Sequence, residues 1–179
     1  AHGGERAEDN ERVERRFGAG MIIAAWLLIL GLLAIPFSGL LEDKHNPNRN
    51  VEGARLADGS AEVTLLRNRQ GHYVAPGLIN GRPVSFMLDT GATVVSVPET
   101  MARDIGLTRG RPVTLETANG TRRAWATRLD RVELGTIRLD NIPAVINPGH
   151  GTPQVLLGMS FLKQLEFTQR GRELTLRQN

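Results

Sequence analysis

Apolar and polar positions divide the chain into regions with different periods. Phe17 to Leu41 contains no charged residue, and Met21 to Ile35 is apolar on every side. With its flanks the run reaches the roughly twenty residues that a bilayer-crossing helix needs, so residues 17–41 are expected to be a transmembrane helix. An amphipathic soluble helix would show a polar face, and none is present. A cleaved leader is the nearer rival, because Pro36, Ser38 and Gly39 follow the run, but no small-x-small cleavage site stands there. Before this span, residues 1–16 form a charged tail with little to bury. After it, residues 42–70 read as a polar linker broken at Asn46-Pro47-Asn48 and Ala57-Asp58-Gly59-Ser60, with one strand, Ala61 to Arg67, inside it.

From residue 71 the period becomes that of strands. His72 to Ile79 and Arg82 to Leu88 flank Asn80-Gly81, whose residue types supply the positive φ values of a two-residue hairpin turn. Thr93 to Val97 is a further apolar β-rich run, Pro98 to Ile105 a short helix closed by Gly106, and Arg111 to Thr117 pairs with Thr121 to Thr127 across Asn119-Gly120. Val132 to Ile137 and Ile142 to Ile146 read as strands, followed by a Gly- and Pro-rich loop from Asn147 to Pro153. Gln154 to Leu157, a helix from Met159 to Leu165, and strands about Phe167 and Leu174 end the chain. Strand, turn, apolar strand, then Asp89 or Gly158, then helix occurs twice, over Leu78 to Ile105 and Val132 to Leu165. That weak repeat predicts that Gly158 packs where bulk would disturb the turn at Asp89.

The chemistry concentrates at Asp89, a single carboxylate between two apolar runs. A turn of Thr90 and Gly91, with Ala92 too small to crowd it, lets such an acid face a second acid across a symmetry axis. Two carboxylates a few ångströms apart cannot both ionise cheaply, so they hold one proton between them. The ionised member can then take a proton from water while the protonated one donates to an amide carbonyl. No other aspartate of the domain stands in an Asp-Thr-Gly or Asp-Ser-Gly turn, and about a hundred residues make one lobe, so the second acid is expected from a second copy.

Composition removes other classes. The chain of 179 residues has no cysteine, which excludes thiol catalysis and thiolate metal sites. Its four histidines, His2, His45, His72 and His150, stand far apart, so no metal and no cofactor are expected. The formal charge of +3 comes from scattered arginines without interleaved aromatics, which argues against a nucleic-acid partner. Gly158-Met159-Ser160 lacks the last glycine of a nucleophile elbow, and no phosphate loop or dinucleotide fingerprint appears. Arg12, Arg15 and Arg16 precede the span while Glu42 and Asp43 follow it. The expected orientation therefore puts the N-terminus in the cytoplasm of a single-pass inner-membrane protein, with residues 71–179 periplasmic or extracytoplasmic.

Asp89-Thr90-Gly91-Ala92, the Ala118-Asn119-Gly120 turn about thirty residues on and Val155-Leu156-Leu157-Gly158 together resemble the retropepsin-like aspartic proteases. The resemblance runs from about His72 to Arg177, and the Leu-Leu-Gly-Met-Ser-Phe-Leu at Leu156 to Leu162 looks like the tail of bacterial, membrane-anchored members. It implies an all-β retropepsin-like barrel with one or two short helices, acting as a homodimeric endopeptidase on protein or peptide substrates. Asp89 of each copy would share the catalytic water, Thr90 would brace the paired turns, and Gly91 would permit their approach. The hairpin at Ala118, Asn119 and Gly120 would be a flap, and Leu156, Leu157 and Gly158 would support the turn. Viral members carry Arg and then Asn or Asp after the late glycine, where this chain has Met159-Ser160. A non-catalytic β-barrel holding a peptide at the membrane surface is the alternative, and it has no need of an unpaired acid in the turn.

Overall fold

A computed structural model describes residues 26–30, 46–51, 53–117, 120–149 and 153–179. The charged tail and most of the expected span lie outside these. Residues 26–30 are helical and exposed, and among the described residues no helix is long and apolar enough to cross a membrane. The chain divides into two compact units, Ala1–Asp43 and Lys44–Asn179, and every described strand belongs to the second.

Among the described residues of that unit, eleven strands and two short helices follow in order: β1 (Gly53–Arg55), β2 (Ala61–Leu66), β3 (Tyr73–Ile79), β4 (Arg82–Leu88), β5 (Val95–Pro98), α1 (Glu99–Asp104), β6 (Pro112–Thr117), β7 (Gly120–Leu134), β8 (Ile137–Asn147), β9 (Val155–Leu157), α2 (Met159–Leu162), β10 (Glu166–Arg170) and β11 (Glu173–Gln178). Seven of them form one sheet in the order β3-β4-β9-β5-β8-β7-β6, and β3 also pairs with β7 through Leu78–Glu133 and Ile79–Val132. That contact closes the sheet on itself. The interior is filled by Phe86, Ile79, Leu129, Leu134, Ile137, Ile142, Ile146, Leu157 and Phe161, all fully buried. The expected hairpin forms as read: Ile79 pairs with Arg82, and Asn80 and Gly81 adopt φ of 50° and 77°.

Three readings are corrected. The stretch expected as a linker, residues 42–70, supplies β1 and β2 to a second sheet in the order β1-β2-β11-β10. Val63 and Leu65 are buried there to 1% and 0% exposure, and each such burial stabilises by about 1.5–3 kcal/mol, so β2 is core and not tether. Asn48, 6% exposed, ties the preceding segment down by donating to Leu66 O (3.0 Å) and Val74 O (2.7 Å) and accepting from Leu66 N (2.6 Å). The domain therefore begins before residue 71. Second, the strand expected from Val132 to Ile137 is cut at Gly135, whose φ of 57° turns the chain so that Leu134 pairs with Ile137. Third, Thr117 pairs with Gly120, so Gly120 belongs to β7 and the pairing starts one residue before the expected Thr121.

The repeat is present as an interlock. β4 runs parallel to β9, and β5 parallel to β8. The turn equivalent to Asp89 is thus the loop after Asn147, joining β8 to β9, and not Gly158.

Candidate active site

β4 carries the chain out of the core through Phe86 and Leu88 and ends against Leu157 of β9, its parallel neighbour. One residue later Asp89 donates its backbone N–H to Leu157 O (3.3 Å). The chain then folds tightly: Ala92 N donates to Asp89 O (3.2 Å), and Gly91 N donates to Asp89 Oδ1 (2.8 Å). One carboxylate oxygen is thereby fixed by its own turn and the other left for chemistry. Asp89 is half-buried, whereas Thr90 and Gly91 are exposed at the crest. A Cβ on Gly91 would stand 3.1 Å from Oδ1, so the glycine keeps the space beside the acid.

The far side of the turn is held by α2. Met159 N donates to Ala92 O (2.8 Å) and Ser160 N to Thr93 O (3.0 Å). The buried Ser160 hydroxyl accepts from Val95 N (3.0 Å) and donates to Pro143 O (2.8 Å), which joins α2 to the start of β5 and the middle of β8. Gly158 lies flat on this loop; a Cβ there would meet Val94 O at 2.4 Å and Ala92 O at 2.7 Å. Leu157 is fully buried behind Asp89, and Leu156 faces the neighbouring cleft. Leu157 and Gly158 therefore lie against the turn, with Leu156 in the cleft beside it. Ser160 was missed, because a serine beside an apolar run carries no signal until its two distant backbone partners are known.

The turn is a ridge between two hollows. On one side a cleft of about 1040 Å³ is lined by Gly91 to Val94, by Val113 to Thr117 of β6, and by Arg128 and Asp130 of β7. The β6–β7 hairpin forms a wall of this cleft, with Gly120 at φ 94°; Ala118 and Asn119, expected at its tip, lie outside the described residues. Its base is braced by Arg109, which pairs with Glu99 of α1 and stacks 4.4 Å from the ring centroid of Trp125. On the other side Asp89, Thr90 and Leu88 border a groove of about 310 Å³ with Tyr73, Phe167 and Leu174. Among the described residues no group of three or more His, Cys, Asp or Glu side chains could hold a metal. An accessible carboxylate with one oxygen fixed, next to the cleft, can act on a bond of an extended chain laid there.

Comparison with known proteins bears on the same residues. Residues 75–164 match the family model described as gag-polyprotein putative aspartyl protease. The chain is 34% identical over 175 residues to the uncharacterized protein in cobV 5'region of Sinorhizobium sp, spanning 90% of this chain and 75% of that protein. It is 28% identical over 118 residues to the uncharacterized protein RP867 of Rickettsia prowazekii, covering 64% of this chain and 50% of that one. Among solved structures it is similar to a retropepsin-like aspartic protease from Rickettsia conorii, with a TM-score of 0.57 and 30% identity over 66% of this chain and 92% of that one.

Proposed function

The chain belongs to the retropepsin-like aspartic proteases and is an aspartic endopeptidase; from that premise we propose that it works as a homodimer, with Asp89 of two copies sharing one water, anchored in a membrane by residues 17–41. The observation that carries the reading is the Asp89 carboxylate, held by Gly91 N–H on one oxygen and open on the ridge beside the cleft. A single acid cannot be both base and acid in one step. With a second Asp89 across a two-fold axis, the ionised member takes a proton from water as its oxygen attacks the amide carbon. The protonated member gives its proton to the carbonyl oxygen. The tetrahedral intermediate then breaks its C–N bond as the nitrogen receives a proton from the pair. Thr90, exposed at the crest, braces one turn on the other, and the β6–β7 hairpin, a wall of the cleft, closes over the substrate and excludes water.

The arginines before the span and Glu42 and Asp43 after it support an orientation with the protease unit periplasmic. A periplasm-active reporter fused after Asn179 is expected to function, and a cytoplasm-only reporter is expected to be silent. For the chemistry, Asp89→Asn in the full chain should lower peptide cleavage by about 10⁴-fold while the thermal transition stays put, because shape is kept and proton exchange is lost. Cleavage within tenfold of the parent would remove Asp89 from the mechanism.

A further inference from the structure

The four-stranded sheet is polarised along its strands. At one end Arg177 pairs with Asp58 and has Glu62 and Glu166 as its cross-strand neighbours, with Arg55 nearby on β1. At the other end lie residues 46–49, 67–72 and 170–173, brought together where Leu66, Glu173 and Arg170 stand in register. These three segments carry Arg49, Arg67, Arg69, Arg170 and Arg172 against one acid, Glu173, and all five arginines are exposed.

Backbone contacts hold the cluster in place. Arg67 N donates to Arg172 O (2.8 Å) and Arg172 Nη2 donates to Arg67 O (3.0 Å), which fastens the β2–β3 loop to the β10–β11 turn. The buried Asn68 side chain accepts from Gln70 N (3.0 Å) and His72 N (2.9 Å), so the loop closes around it and leaves Arg69 on the outside. The Asn48 side chain, bonded to Leu66 O, sets Arg49 at the same end.

This is also the end at which the chain enters the unit. Asn48 stands seven residues beyond Leu41, the last residue of the expected span, and seven residues reach at most about 25 Å. With residues 17–41 in a bilayer, the arginine end is therefore confined to the neighbourhood of the headgroups. The residues between cannot supply the attraction themselves, because Glu42 and Asp43 outnumber Lys44.

We propose that this arginine end docks on the anionic phospholipid surface of the membrane that holds residues 17–41. The proposal rests on the anchoring reading above and adds a second, electrostatic contact to it. Guanidinium groups donate paired hydrogen bonds to headgroup phosphates, and each basic side chain at such a surface is worth about fivefold in binding. Docked, the unit no longer turns freely about its tether, so the cleft is presented at one height and one tilt.

The chain has no cysteine, which allows a fluorophore at one chosen site. Full-length protein carrying labelled Gln70→Cys is reconstituted into vesicles that bear a quencher on the lipid headgroups. Its label is expected to be quenched with phosphatidylglycerol present and far less with phosphatidylcholine alone, and to be released in about 1 M salt, where the screening length falls to about 3 Å. A label at Arg82→Cys, at the far end of the β3–β4 ladder, is expected to stay bright on both lipids. Arg69→Gln combined with Arg170→Gln should lower the ratio of docked to free unit by about tenfold or more, whereas lysine at both positions should keep it, which separates charge from a fault in folding. Equal quenching of the Gln70 label on neutral and anionic lipid, or of both labels on anionic lipid, would overturn the docking. An unquenched Gln70 label on a chain that still floats with the vesicles after an alkaline carbonate wash sinks the docking and leaves the anchor standing. A chain stripped off by that wash overturns both.

Discussion

Replacing Gly158 by alanine tests how tightly the catalytic turn is held from behind. Gly158 has φ −86° and ψ −172°, which alanine adopts without strain, so the cost is steric alone. The added methyl would sit 2.4 Å from Val94 O, 2.7 Å from Ala92 O and 2.8 Å from Val94 C. Carbon and carbonyl oxygen settle no closer than about 3.3 Å, so the two must part by about 0.9 Å. All three atoms are backbone, and Ala92 O also accepts Met159 N at 2.8 Å, so no side chain can swing away to absorb the shift. Overpacking of this kind costs about 1–3 kcal/mol. In a chain of this size that lowers the melting temperature by roughly 2–12 °C. The larger effect is expected in rate: the loop that moves is the one that aims Asp89, and a misplacement of about 1 Å can cost on the order of 100-fold. The assay is kcat/KM on a cleaved peptide together with thermal unfolding, with Gly59→Ala alongside. Gly59 has φ 85° and nothing within 4 Å of the position a methyl would take, so its alanine variant should lose about 1–2 kcal/mol and keep its kcat/KM. If Gly158→Ala stays within threefold of the parent in kcat/KM, Gly158 does not position the turn.

Ser160→Ala leaves Val95 N–H and Pro143 C=O without their partner, and should cost about 1–3 kcal/mol in denaturant unfolding, with a fall in kcat exceeding any change in KM. Gly120→Val, forced to φ 94°, should reduce cleavage far more than melting temperature; equal losses would make the hairpin structural only. Asn48→Ala strips two carbonyls and an N–H at once and should lower stability by about 2–4 kcal/mol without touching kcat. Asp58 is held below the usual carboxylate range by the Ser60 hydroxyl and N–H, with Arg177 adding to it. Its contribution is therefore present above the unfolded value and fades as pH falls through the lower folded value, so Asp58→Asn should lower stability at neutral pH and flatten the acid limb below about pH 4, the variant and the parent converging in acid.

The parts legible in the sequence are those whose cause is local. Asn80-Gly81 and the apolar runs on either side specify β3 and β4 within sixteen residues, and the Asp89 turn follows directly from where those runs stop. The parts that escaped depend on distant partners. β2 looks like a polar linker strand because its neighbour, β11, lies more than a hundred residues away, as the Thr64–Thr175 contact shows. Asn48 reads as a breaker until Leu66 and Val74 are placed around it. Gly135 escaped for another reason: Leu134 and Ile137 are apolar on both sides of it, so hydropathy alone continues the strand where the backbone turns.

β7 runs without interruption from the hairpin wall of the cleft into the closed sheet. Over Gly120 to Trp125 it pairs with β6, and over Trp125 to Leu134 with β8. A flap built on such a strand has no loop at its base to swing on. On the proposed flap reading it opens by twisting as a springboard does, with Trp125 at the fulcrum, clamped by the guanidinium of Arg109. The stiffness of the gate is then set by the ladder itself, and loosening Arg109 would change how fast substrate enters before it changed how the bond is cut.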